Sequence, residues 1–125
     1  MKIAAVIIRT LMGLLFLFAS VAYFFKLFPE PVLTGNMKIF NDGLAASGYL
    51  LGLVKGIELV CGLAFVTGRF VPLAALLIAP VTVNIVGVHA FLDPKGLPVA
   101  LFVLLGNLFL GYYYREVYKP LFRPK

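Results

Sequence analysis

The stretch FVPLAALLIAPVTVNIVGVHAFL, which runs from Phe70 to Leu92 without a charged residue, decides the class of fold. Arg69 and Asp93 bound it. A helix needs about 20 mostly apolar residues to cross the hydrocarbon core of a bilayer, so this stretch is long enough. Small soluble domains bury only part of their surface when they fold, so a long apolar segment of this kind is hard to bury in a small soluble domain. The stretch therefore predicts a membrane-spanning helix.

The composition of the whole chain supports the same prediction. Of its 125 residues, 62% are hydrophobic and 13% are charged, whereas a soluble domain is nearer half apolar and a quarter charged. The formal net charge is +6, but the basic residues lie between apolar runs and not on one face of a soluble fold. We therefore expect the lipid bilayer as a partner and no nucleic acid.

Charged residues and turn residues divide the chain into four predicted spans, at residues 3–28, 44–67, 70–92 and 97–114. Prolines at both ends of residues 29–31 are expected to stop the first helix, because proline lacks an N–H and disfavours a helical residue before it. Gly68 and Pro72 flank a tight turn. The first loop is expected to hold a short amphipathic piece whose apolar side chains enter the interface, namely Met37, Ile39 and Phe40.

An alternative for the first span is a cleaved signal peptide. Lys2, the apolar run and the small residues at 19–22 resemble one. Arg9 lies inside the apolar run, however, and a charge there is unusual for such a peptide. We therefore expect the first span to remain in the protein.

The distribution of lysine and arginine predicts the orientation. With four spans, both termini and the second loop share one side. That side carries the larger number of basic residues: Lys2, Arg9, Arg69, Arg115, Lys119, Arg123 and Lys125. The other side has three lysines that acidic neighbours offset: Lys26, Lys38 and Lys95 beside Glu30, Asp42 and Asp93. We therefore expect an all-α integral membrane four-helix bundle in the inner or plasma membrane, with both termini in the cytoplasm.

Five of the polar residues inside the predicted spans are the main site candidates, because an ionisable group there is costly and usually faces a partner in the bundle. The helical rise places Arg9, Glu58 and Asn107 roughly 9, 13 and 10 Å from the cytoplasmic face. This similarity predicts an ion pair between Arg9 and Glu58, with Asn107 nearby. Lys55 and Asn84 are expected nearer the midplane. Together the five residues form a predicted buried polar cluster.

Three further residues are secondary candidates. Ser20 and Tyr23 follow Arg9 on one stripe of the first span. His89 is expected near the outer face, as an interfacial hydrogen-bonding residue in preference to a metal or haem ligand. Pro80 should bend the third span.

The polar cluster has three interpretations. It can tie the helices together as structural side chains. It can form a pocket or relay for a headgroup, a quinone or a proton. It can also serve as an assembly surface for another membrane protein. The lone Cys61 is interpreted as a small apolar filler.

No motif in the sequence specifies a reaction. It contains no phosphate-binding loop, paired-carboxylate site, HExxH or nucleophile triad, and a single cysteine cannot form a CxxC pair. We therefore predict no catalytic residue, no metal site and no resident cofactor, and we expect no intrinsic catalytic activity.

The order and spacing of the charged and small residues resemble the DoxX family of small bacterial membrane proteins. The residues that carry the resemblance are Arg9-x3-Gly13-Leu-Leu-Phe, Lys26 with the proline loop, Lys55-x2-Glu58-x3-Gly62 and Gly68-Arg69-x2-Pro72-Leu-Ala-Ala. The resemblance covers nearly the whole chain and implies a four-helix membrane bundle, of bacterial origin. It also implies a redox setting, since relatives include a membrane subunit of a thiosulfate:quinone oxidoreductase and partners of superoxide and thiol-oxidation systems. More distant relatives in the superfamily assist the assembly of neurotransmitter receptors.

The leading hypothesis is a non-catalytic subunit of a membrane redox or oxidative-stress complex. It would hold a quinone- or lipid-like amphiphile at the polar cluster of Arg9, Lys55, Glu58, Asn84 and Asn107. One alternative is a ligand-free structural or chaperone-like assembly factor.

A second alternative is a small transporter that acts as an oligomer, because four short helices leave little room for alternating access. The expected partners are another protein or a second copy of the chain. The GxxxG match from Gly52 to Gly56 is the predicted face of a homo-oligomer.

Overall fold

The computed structural model describes residues 1–29 and 32–124, and its regular elements within them are all helical. Four helices are long and apolar enough to cross a membrane, which confirms the predicted number of spans. They are α1 (Lys2–Phe24), α3 (Leu50–Thr67), α4 (Val71–Phe91) and α5 (Leu97–Tyr113). Between and after them lie α2 (Gly35–Ala46), a 3-10 turn (Pro94–Gly96), α6 (Arg115–Tyr118) and a second 3-10 turn (Lys119–Phe122).

Two span boundaries differ from the prediction. Residues 44–46 belong to α2, so the second span begins at Leu50. The break arises because Gly48 takes a left-handed conformation (φ 82°) and the Ser47 hydroxyl accepts the N–H of Leu50 at 3.0 Å. The first span ends at Phe24, with Lys26 left-handed just beyond it. The predicted stop at 29–31 lies partly outside the described residues, which omit Glu30 and Pro31.

The amphipathic piece expected in the first loop is the helix α2. None of its residues is buried, and an exposed Lys38–Asp42 ion pair of 2.9 Å lies along it. Ile39 and Phe40 are exposed, whereas Met37 is partly buried. Entry of these side chains into the membrane interface stays a prediction.

The four long helices pack in a ring, in which α1 contacts α3 and α5, and α4 contacts α3 and α5. One large apolar side chain from each helix is fully buried at the centre: Met12, Phe65, Ile78 and Leu110. Smaller apolar side chains and Phe16 complete this core, while many of the other large apolar side chains are exposed on the outer surface of the bundle, for example Leu14, Leu63, Leu77 and Leu105.

Glycines allow α1 and α3 to approach each other closely. A Cβ atom on Gly13 would lie 2.7 Å from Val66 Cγ2 and 2.9 Å from the Gly62 carbonyl oxygen. By contrast, a Cβ atom on Gly52 or Gly56 would meet no atom within 4 Å. The GxxxG match is therefore not used inside the chain, and its role in an oligomer stays a prediction.

The first turns of α1, the α3–α4 turn and the C-terminal tail lie at one end of the bundle. Gly68 is left-handed (φ 76°) beside the Arg9 guanidinium, and the Tyr118 hydroxyl donates to the Pro72 carbonyl oxygen at 2.5 Å. We call this the basic end, after its cations Lys2, Arg9, Arg69, Arg115, Lys119 and Arg123. With four spans, the N-terminus, the α3–α4 turn and the C-terminus must all lie on the same side of the membrane, as they do here.

Candidate functional site

The predicted ion pair between Arg9 and Glu58 is wrong. Arg9 Nη1 donates instead to the carbonyl oxygens of Phe65 at 2.5 Å and Val66 at 3.3 Å. The last four carbonyls of a helix lack donors within it, and a cation is favoured at that end. Arg9 therefore binds the end of α3 and not a side chain at similar depth.

Glu58 pairs with Lys55, one turn earlier on the same helix. The two groups are 3.3 Å apart at the i, i+3 spacing that places side chains on one face. Glu58 is buried, with 4% of its surface exposed, and Lys55 is partly buried. A carboxylate at this depth needs a partner, and Lys55 supplies it.

Asn107 also lies apart from Arg9 and Glu58. Its Nδ2 donates to the Ala75 carbonyl oxygen at 3.0 Å, which leaves Oδ1 to accept the Thr82 hydroxyl at 2.9 Å. Asn107 therefore ties α5 to α4. Thr82, which is fully buried, was not among the predicted site residues. The sequence feature that could have identified Thr82 is a hydroxyl side chain in the middle of an apolar span.

Asn84 and His89 lie on α4. Asn84 Nδ2 donates to the Pro80 carbonyl oxygen at 2.8 Å. His89 Nδ1 lies 3.0 Å from the Asp93 carbonyl oxygen and 3.9 Å from its carboxylate. A carbonyl oxygen can only accept a hydrogen bond, so His89 Nδ1 carries the proton. In a neutral imidazole ring, Nε2 is then a hydrogen-bond acceptor.

A cavity between α2, α3 and α4 brings part of the predicted cluster together. We call it the α3–α4 cleft; its volume is about 540 Å³. Its polar lining consists of Lys55, Glu58, Asn84 and His89. The other walls are apolar: Phe40, Leu44, Leu50, Leu51, Val54, Pro80, Val81, Ile85 and Val88. The predicted cluster of five thus divides, with Arg9 and Asn107 outside the cleft.

The two secondary candidates on α1 do not line the α3–α4 cleft. The Ser20 hydroxyl is buried and donates to the Phe16 carbonyl oxygen one turn back, at 2.7 Å. Tyr23 is exposed and packs edge-on against Phe24. Cys61 is buried in the core, with its sulfur 3.5 Å from the Ala74 carbonyl oxygen, which fits the filler role.

The α3–α4 cleft can bind a small molecule that has polar oxygens and an apolar body. Small-molecule sites are typically about 300–1,000 Å³, mostly apolar and furnished with a few convergent polar groups. Lys55 can donate to a carbonyl or phosphate oxygen, and Glu58 or His89 Nε2 can accept from a hydroxyl. Among the described residues, no three His, Cys, Asp or Glu side chains are grouped to hold a metal ion.

Comparison with known proteins identifies one family. The family model described as DoxX matches residues 4–91, which include nearly all of α1 and the whole of α2, α3 and α4. The match contains every polar residue of the α3–α4 cleft. No curated protein and no solved structure matches the chain.

Proposed function

Because this chain belongs to the DoxX family and is a multi-pass membrane protein, we propose that it is a non-catalytic membrane subunit that binds a quinone- or lipid-like amphiphile. The site is the α3–α4 cleft. One observation carries the proposal: polar side chains from two helices, Lys55 and Glu58 on α3 with Asn84 and His89 on α4, line a single cavity with apolar walls.

The chemistry of the lining suits a quinone headgroup. The Lys55 ammonium has three N–H donors. It forms a salt bridge with Glu58 and can also donate to a quinone carbonyl. The Glu58 carboxylate can accept from the hydroxyl of the reduced form. The isoprenoid chain would lie along the apolar residues of α3 and α4. In this proposal, a protein partner in a redox or oxidative-stress complex supplies the electron transfer.

The charge distribution supports an orientation for the proposed subunit. Cations at the basic end outnumber those at the opposite end, and lysine and arginine favour the cytoplasmic side. We place both termini in the cytoplasm and the protein in the inner membrane of a bacterium. The α3–α4 cleft would then open toward the outer half of the bilayer, where α2 lies.

A second function is favoured by a different observation. Every buried side-chain nitrogen and oxygen in the described residues already has a hydrogen-bond partner, as expected of a structural network. Such a network needs no ligand. A ligand-free assembly factor is therefore the alternative function.

Native mass spectrometry of the detergent-solubilised protein, titrated with a short-chain ubiquinone, distinguishes the two functions. The test variant is Lys55→Gln/Glu58→Gln, which removes both charges and leaves no buried charge unpaired. The control is Glu116→Gln/Lys119→Gln, which neutralises an exposed ion pair at the same i, i+3 spacing. We expect the quinone adduct on the wild type and the control and at least a tenfold weaker adduct on the test variant. An equal adduct on all three proteins would refute binding at the cleft, and no adduct on any of them would leave the ligand-free assembly factor.

A further inference from the structure

A second cavity lies between α4, α5 and the C-terminal tail, and it shares no lining residue with the α3–α4 cleft. We call it the α4–α5 cavity; its volume is about 410 Å³. Apolar side chains such as Leu76, Leu104 and Leu108 form its walls. Polar residues lie at its two ends, Thr82 and Asn107 on the long helices and Arg115 and Tyr118 on the tail. Much of the lining lies beyond the 4–91 segment of the family match.

At the inner end of the α4–α5 cavity, the Asn107 amide has an N–H group that can donate a further hydrogen bond. An asparagine amide nitrogen carries two N–H groups. One of those of Asn107 reaches the Ala75 carbonyl oxygen; the other has no acceptor within the described part of the chain. Because Asn107 lines the cavity, this N–H can serve an acceptor on a bound molecule.

The mouth of the α4–α5 cavity is positively charged. The Arg115 guanidinium lies over the Tyr112 ring, 4.3 Å from its centre, and Nη1 donates to the Tyr112 carbonyl oxygen at 2.9 Å. These contacts hold the charge at the rim while other N–H groups remain. Glu116, the acidic residue of the tail, pairs with Lys119. Arg115 therefore favours an anion.

The C-terminal tail completes the apolar wall. The Tyr118 hydroxyl fixes the tail to the start of α4 through the Pro72 carbonyl oxygen. Leu121 and Phe122 then extend the lining beyond the end of α5. An apolar channel with a cation at its membrane-surface end matches a molecule that has an anionic head and an apolar chain.

We propose that the α4–α5 cavity binds an acidic lipid, with the anionic head on Arg115 and the apolar chain between α4 and α5, toward Asn107. The volume lies within the range of about 300–1,000 Å³ usual for small-molecule sites. Acidic phospholipids and free fatty acids share this chemistry. The site is independent of quinone binding at the α3–α4 cleft, so either can fail without the other.

A cavity-filling variant tests the proposal directly. Gly111 lines the α4–α5 cavity, and a Cβ atom there would meet nothing within 4 Å. Gly111→Leu therefore places a side chain in the space of the lipid chain. Arg115→Gln removes the positive charge at the mouth of the cavity. It is a second test variant in case Gly111→Leu does not fold. The control is Gly87→Leu, because Gly87 on α4 is equally open and lies outside the lining.

The measurement is native mass spectrometry with phosphatidylglycerol, phosphatidylcholine or palmitate added to delipidated protein. We expect phosphatidylglycerol to bind the wild type and Gly87→Leu, and to bind Gly111→Leu and Arg115→Gln at least tenfold more weakly. Retention of phosphatidylglycerol in excess palmitate would identify a phospholipid site, and displacement by palmitate a fatty-acid site. Equal binding of phosphatidylcholine, or binding unaffected by both variants, would overturn the proposal.

Discussion

Arg9, in the third turn of α1, donates a hydrogen bond from Nη1 to the backbone carbonyl oxygen of Phe65 at 2.5 Å. Phe65 lies in the last turn of α3, where carbonyls have no donor within the helix. The cation therefore stabilises the end of a neighbouring helix and joins α1 to α3 at the basic end.

Arg9→Gln is expected to destabilise the protein, because it removes a charged donor from the carbonyls of Phe65 and Val66. Hydrogen bonds to charged groups contribute about 1.5–3 kcal/mol, and we expect a loss of that order. Thermal unfolding in detergent measures it. Arg69→Gln, which changes an exposed arginine at the same end, should leave the midpoint near that of the wild type; equal shifts would contradict the Arg9 contact.

Gly13→Ala is expected to separate α1 from α3. Its Cβ atom would lie 2.7 Å from Val66 Cγ2 and 2.9 Å from the Gly62 carbonyl oxygen, and overpacking costs about 1–3 kcal/mol. Gly56→Ala meets no atom within 4 Å, so it should be neutral or slightly stabilising. Melting temperatures of the two variants in one detergent provide the comparison. A Gly56→Ala variant as unstable as Gly13→Ala would show that Gly56 packs against a second copy.

Glu58→Ala is expected to cost more stability than Glu58→Gln. Both leave Lys55 without its counter-charge, but glutamine still accepts a hydrogen bond and fills the same volume. Breaking a buried pair costs about 3–5 kcal/mol in soluble cores, and the partial exposure of Lys55 should reduce that value here. Chemical unfolding in mixed micelles gives the order of the two variants. Wild-type stability in both would mean that the pair does not form.

Thr82→Val is expected to lower stability by about 1 kcal/mol, the usual scale of a side-chain hydrogen bond between membrane helices. Valine keeps the shape but leaves Asn107 Oδ1 without its donor. Thr67→Val is the matched control, because the Thr67 hydroxyl bonds only within its own helix, at 2.7 Å to the Leu63 carbonyl oxygen. Equal stability of Thr82→Val and Thr67→Val would contradict the prediction.

Docking of the C-terminal tail is expected to weaken at high pH. Burial raises the pKa of Tyr118 above its ordinary value of 10.0, and nearby Tyr114 adds to the effect. The neutral hydroxyl donates to the Pro72 carbonyl oxygen, which the phenolate cannot do. The contribution to stability is therefore complete below pH 10.0 and is lost as the pH rises through the higher pKa of the folded state.

Carbon-13 NMR of tyrosine Cζ measures this titration, with Tyr118→Phe to assign the signal. A synthetic peptide of the tail gives the unfolded reference. We expect the midpoint of Tyr118 in the protein to lie above that in the peptide. A midpoint at or below the peptide value would show that the hydroxyl is not held at Pro72.

The number of spans was predictable because hydropathy and charge are properties of single residues. The start of the second span was not, because α2 is also partly apolar and joins α3 through only three residues, Ser47, Gly48 and Tyr49. The backbone conformations of these linking residues decide where α3 begins. Composition alone does not show them.

The candidate site was predictable in part. Lys55, Glu58 and Asn84 were predicted as one polar group and do line one cleft; whether they bind a ligand stays a prediction. The Arg9–Glu58 pair failed because depth is only one coordinate, and the direction around each helix decides which groups meet. Backbone carbonyls such as that of Phe65 were also competing acceptors, and a comparison of side chains overlooks them.

The turn between α3 and α4 has a consequence for biosynthesis. Only residues 68–70 separate Thr67 from Val71, so the two helices must traverse the bilayer in opposite senses or not at all. If one of these helices were inserted and the other left outside, unpaired backbone groups would face lipid or apolar surface would face water. Topogenic signals therefore act on the α3–α4 hairpin as a unit, so these two helices should insert, or invert, together.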